Sequence, residues 1–201
     1  DYLASLSLQE AEEEHLLERA SELRWQQAIG YASMHTSIDA VVKMHIEAQP
    51  DILHNNILEM ARWVSYTSGQ VEWRSQILRI LGNAFVAHNQ YLLMRERLAA
   101  ALISMRDKNV LVIFRKALGH PNPDIRRLSC LGIGALQMEE TIEDISNMLI
   151  DDDDDVTRAA GLALGAIGTE DAIDTMVVAL TDGEEGLRQA VAETLAAIPE
   201  D

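Results

Sequence analysis

The chain has 201 residues, 48% of them apolar, enough to bury the core of one domain or a short repeat array. Acids outnumber bases 33 to 16, a net charge of -17, and a surface of that sign repels phosphate backbones, so no nucleic-acid partner is expected. No run of about 18 uninterrupted apolar residues occurs, which excludes a membrane-spanning helix, and the single cysteine, Cys130, excludes an intrachain disulfide and a cysteine zinc cage.

One cysteine fits a reducing compartment, and a cytoplasmic location is expected. The chain opens at Asp1 with no signal-peptide pattern and reads as a piece of a longer protein. In chain order, Leu8 to Ile29 reads as one long helix, with Glu12, Glu13 and Glu14 in its early turns. Ser37 to Glu47 reads as the first helix of a pair. Gln49, Pro50 and Asp51 break the pattern, and Ile52 to Tyr66 resumes as the second helix. Ser68-Gly69 breaks it again, and Val71 to Ala87 is the next helix. The ends of the chain differ in kind. Residues 139–201 carry 18 acids and only two bases, Arg158 and Arg188, while residues 1–138 carry 15 acids and 14 bases. All nine aromatic residues lie before residue 115.

From about residue 109 the sequence repeats with a period of 31. Leu118, Leu149 and Leu180 align, as do Phe114, Ile145 and Met176. After a polar break, Ile125, Val156 and Leu187 align, then Ile133, Leu164 and Leu195. A fixed period of this size marks a stacked array. Each unit reads as two helices: Thr141 to Ile150 then Asp155 to Ile167, and Asp171 to Thr181 then Leu187 to Ile198. The breaks are GHPNPD at 119–124, DDDDD at 151–155 and DGEEG at 182–186. Asp124 and Asp155 are placed to cap the second helices. Gly132, Gly134, Gly161, Gly165 and Gly168 fall at helix-packing positions. Neither helix of a unit can hide its apolar face alone, so neighbours supply the core.

The run DDDDDVTRAAGLALGAIGTEDAIDTMVVALTDGEEGLRQAVAETLAAI resembles tandem HEAT repeats, of the short bacterial type similar to phycobilisome-lyase HEAT-like repeats. The likeness is specific over 109–201, weaker over 71–108, and loose over the divergent helices of 1–70. The resemblance implies an all-α, right-handed α-solenoid of antiparallel helix pairs, roughly five repeats in a single domain over 1–201. It also implies a ladder of turn acids and early second-helix arginines, carried here by Asp124, Asp155, Arg126, Arg158 and Arg188. Gly186 replaces the acid in the last repeat, and Arg158 sits one place late.

Few residues suggest chemistry. HEAT-like di-iron hydroxylases use repeated His-Glu pairs. The six histidines here are followed by Leu16, Thr36, Ile46, Asn55, Asn89 and Pro121, so no such pair exists. DDDDD lacks the alternating ligands, glycine and distal glutamate of a calcium loop. Cys130 stands where Gly161 and Ala192 stand in the sister repeats, which reads as packing.

No cofactor or metal is expected. The expected function is a non-catalytic protein-interaction scaffold or regulatory domain, presenting a curved surface made mainly by second helices. Arg127, Leu131, Arg158, Leu162, Gln189 and Glu193 are its expected exposed positions, with Trp63 and Trp73 as further partner-binding candidates. The acidic end favours a basic protein partner, and the apolar last repeat favours continuation of the array or self-association. Two alternatives stay open: a lyase-type or other HEAT-like enzyme with a pocket among the N-terminal aromatic residues, and a glycosylase-like binder of nucleic acid.

Overall fold

The computed structural model describes residues 2–9, 13–49, 51–67, 71–183 and 185–197. The breaks expected at Pro50 and Ser68-Gly69, Glu12, and the chain end from Ile198 onward lie outside these residues. Among the described residues every regular element is helical. The chain divides into two compact units, Asp1–Ala84 with Ser104–Arg106, and Phe85–Ile103 with Asp107–Asp201.

The first unit holds α1 (Tyr2–Gln9), α2 (Glu13–Ala20), a 3₁₀ turn (Leu23–Trp25), α3 (Gln26–Ala32), α4 (Asp39–Glu47), α5 (Asn55–Tyr66) and most of α6 (Trp73–Val86). The helix expected from Leu8 to Ile29 is therefore three helices. Gln26 shows why: its buried amide donates to the Ala20 carbonyl at 2.8 Å, satisfying one of the acceptors left open where α2 ends. One straight helix would spread Leu8, Leu16 and Ile29 over on the order of 30 Å. Folded back, all three are buried. α3 packs on α1 and α5, and α4 packs on α2 and α5.

The second unit carries α7 (Leu92–Ser104), α8 (Lys108–Ala117), α9 (Pro123–Leu136), α10 (Ile142–Met148, entered by a 3₁₀ turn at Glu139–Thr141), α11 (Asp154–Ile167), α12 (Glu170–Asp182) and α13 (Glu185–Ala197). The 31-residue period is kept to the residue. First helices begin at 108, at the 139 turn and at 170, and second helices begin at 123, 154 and 185. Second helices end on a left-handed residue at the same period: Arg106 (φ 48°), Gln137 (φ 51°) and Gly168 (φ 68°). Gly168 is thus a helix terminator and not, as its sequence context suggests, a packing glycine. The caps also sit earlier than expected. Asn122 and Asp153, not Asp124 and Asp155, accept the first free amides of α9 and α11.

Serial stacking runs through the second helices, α9 on α11 and α11 on α13, while α8, α10 and α12 each pack on the second helix of their own pair. The approach is close because the seam residues are small. A Cβ on Gly134 would lie 2.7 Å from the Ala163 Cα, and one on Gly165 would lie 2.8 Å from the Thr194 methyl. Gly161 is looser, since a Cβ there would come no nearer than 3.4 Å, to the Thr194 hydroxyl. Two glycine substitutions should therefore move stability in opposite directions. Gly168→Ala puts a Cβ into the left-handed region and is expected to cost about 1–2 kcal/mol. Gly161→Ala should add about 0.5 kcal/mol through helix propensity. Urea denaturation of both variants checks the pair.

Candidate functional site

The most elaborate polar arrangement lies where α9 meets the turn before α11. Arg126, in the second turn of α9, uses all five guanidinium N–H groups. Nε donates to Asp151 Oδ2 at 2.8 Å, and Nη2 donates to Asp151 Oδ1 at 2.7 Å and to Asp152 at 2.6 Å. Nη1 donates to the carbonyls of His120 and Pro121 at 3.0 and 3.3 Å. The bidentate fork suits arginine's planar geometry. It is well shielded, with side-chain exposures of 12% for Arg126 and 7% for Asp151. Burial alone would raise the Asp151 carboxyl, but the bonds from Arg126 and the Asp153 amide outweigh it and hold the carboxyl below its usual value.

The expected ladder thus exists as one rung, built on different acids. Asp155 does not reach the neighbouring pair. It accepts from Arg158, three residues on in the same helix, at 3.0 Å. Four acids of the DDDDD run have local roles: Asp151 and Asp152 bind Arg126, Asp153 caps α11, and Asp155 holds Arg158.

One period earlier, Arg95 occupies the place of Arg126. It is buried and donates to the carbonyls of Phe85 and Ala87 at 2.6 and 2.8 Å. One period later the place is taken by Thr157, whose hydroxyl lies 3.4 Å from the Asp151 carbonyl. Beside Thr157 a groove of about 550 Å³ opens between the turns leading into α11 and α13. Asp154, Arg158, Asp182, Gln189 and Glu193 line it, with Ile150 and Leu187 as apolar walls. Ile150 is 81% exposed.

A family model for HEAT repeats matches residues 78–165 and 147–201. The chain belongs to the HEAT-repeat family. Among solved structures it is similar to human deoxyhypusine hydroxylase in complex with glycerol. The TM-score is 0.51 at 16% identity, over 90% of this chain and 71% of that one, a likeness of fold. No curated protein matches the sequence.

Six of the eight candidate partner residues sit on the second helices of these HEAT repeats, with differing exposure. Arg158, Leu162, Gln189 and Glu193 are exposed on α11 and α13, Leu162 by 47%. Gln189 donates to Glu193 at 3.1 Å along one face. Leu131 is half-buried on α9, and Arg127 is drawn to Glu96 of α7 at 3.5 Å. Arg158, Gln189 and Glu193 converge on the groove.

The other two candidates are misplaced. Trp63 is 1% exposed, its indole N–H donating to the Gln26 carbonyl at 2.9 Å and its ring standing edge-on to His45 at 5.2 Å. Trp73 is buried and donates to Asp39 at 2.9 Å. Both are core residues of the first unit, because each indole finds an internal acceptor and needs no partner to cover it.

Among the described residues no three His, Cys, Asp or Glu side chains gather as metal ligands. Cys130 is fully buried in α9, and burial pushes its thiol up to about 12. Iodoacetamide at pH 8 should therefore leave the folded protein unmodified and alkylate it fully in urea, as mass spectrometry would read. A missed feature is the ring contact between His88 and His120, with centroids 6.0 Å apart at successive turns. Burial, His88, Arg95 and Arg126 all hold the His120 pKa below its usual value. The unfolded chain then binds this proton more tightly, so stability falls as pH drops through about 6.5 and below. The melting temperature should drop between pH 7.5 and 5.5, and by less in His120→Gln.

Proposed function

We propose that this chain is a non-catalytic protein-interaction module whose partner-facing surface is the exposed side of α11 and α13. The observation that carries the reading is the convergence of exposed Arg158, Gln189 and Glu193 on an open groove lined also by a solvent-facing isoleucine, with exposed Leu162 one turn further along α11. An exposed apolar side chain ringed by polar ones is the composition of a partner site. The 18 acids of residues 139–201 give that surface a strong negative field, which selects and steers a basic protein. The same field disfavours nucleic acid. The sequence contains no His-Glu pair for a di-iron centre.

Panning a displayed peptide library against the chain tests this. Basic peptides should be enriched, and their binding should be lost in the double variant Leu162→Glu, Gln189→Lys with an unchanged melting temperature. No enriched class, or capture indifferent to these substitutions, contradicts the reading.

A further inference from the structure

We propose that the groove between α11 and α13 receives an arginine side chain from the partner protein, which completes there the rung that this chain leaves open. The proposal rests on the interaction reading and names its central contact.

The repeat register supplies the reason. Arg126 in one unit and Thr157 in the next hold the same place, as do their opposing acids, Asp151 and Asp182. In the filled rung a guanidinium spans the acid of the following turn and two carbonyls of its own turn, those of His120 and Pro121. Their counterparts at the groove are the carbonyls of Asp151 and Asp152. Thr157 is too short to repeat the bridge and touches only the Asp151 carbonyl. What remains is an open space beside Thr157, larger than one side chain, whose acids are unbalanced. Among the described residues neither Asp154 nor Asp182 makes an ion pair, and Glu193 accepts only from a neutral glutamine. Among the described residues the one base lining the groove, Arg158, is held by Asp155.

The walls fit the rest of an arginine. Ile150 and Leu187 offer apolar surface to its methylenes, so the stem packs while the charged head reaches the acids. A Cβ placed on Gly186 would meet nothing within 4 Å, so that wall stays open for a chain to enter. Arginine is favoured over lysine because the filled rung uses a planar fork, which an ammonium group cannot reproduce.

The probe is N-acetyl-arginine amide, titrated into the ¹⁵N-labelled chain at low salt and followed by amide shifts. Shifts should centre on Thr157, Asp182, Gly183 and Gly186, with a dissociation constant on the order of 1–10 mM, as expected for so small a ligand. N-acetyl-lysine amide should bind several-fold more weakly, and the uncharged citrulline analogue should give no saturable shift. Asp182→Asn should weaken arginine binding about tenfold or more. Thr157→Arg, which supplies the missing side chain from within, should abolish it. Equal shifts from citrulline, undiminished binding in both variants, or no groove shifts at 50 mM arginine amide (roughly five times the weakest expected constant) would overturn the proposal. Failure here with successful peptide panning rejects the arginine receptor alone. Failure of panning with successful arginine binding rejects the wider surface reading.

Discussion

Arg126→Ala is expected to destabilise the protein by about 3–5 kcal/mol, the usual cost of removing one member of a shielded ion pair. Three consequences add up at one place. The Asp151 carboxylate, 7% exposed, loses its counter-charge. The carbonyls of His120 and Pro121 lose their donors. The tie between α9 and the turn entering α11 is cut. Arg126→Lys should recover only part of the loss, because a point charge cannot hold both carboxylate oxygens and both carbonyls. The pair has a pH signature of definite sign. Asp151 titrates below its unfolded value, so its contribution is complete above about pH 4 and disappears as pH falls through the folded value. Arg126→Ala should therefore differ most from the parent at neutral pH and least in strong acid, as urea denaturation at pH 7 and pH 3 would show.

Trp63→Ala is expected to cost about 3–5 kcal/mol as well, from a different source. The indole fills the centre of the first unit and is almost wholly sealed. Its loss opens a cavity between α3 and α5, where a Cβ on Gly30 would already stand only 2.9 Å from the ring. It also removes the indole bond to the Gln26 carbonyl, on a residue whose side-chain amide binds the Ala20 carbonyl and, at 3.3 Å, His45. His45 fits this network because its Nδ1 faces the Val41 carbonyl at 2.9 Å and must donate there, leaving Nε2 to accept from Gln26. Trp63→Phe keeps most of the volume but loses the indole hydrogen bond, so it should lose less, about 1–3 kcal/mol. A partner-binding tryptophan would behave otherwise, with its substitution weakening capture and leaving stability alone.

The C-terminal pairs were legible because their signal is periodic. Aliphatic residues at helical spacing, repeated at 31 with a polar break, leave one way to bury both faces. The start of α11 was read to within one residue. The first unit was less legible, since nothing in Leu8 to Ile29 breaks a helix locally. The break comes from Gln26 reaching back to Ala20, a contact that sequence spacing does not announce. The ladder was half read. The family pattern points to Arg126 but to an acid inside the helix, Asp155, whereas the turn places Asp151 opposite it. The signal that finds it is the register itself, because the position three residues before the second helix carries Asp151 in one unit and Asp182 in the next. The tryptophans misled because an aromatic residue in a near-neutral segment reads alike whether it faces a partner or an internal carbonyl.

The repeat array requires second helices to meet at the same register in successive pairs. Nuclear Overhauser contacts across the two seams test this most directly. Cross-peaks between the α-protons of Gly134 and Ala163, and between Gly165 and the Thr194 methyl, should both be strong. Helical chemical shifts throughout 123–197 with neither cross-peak present would contradict it.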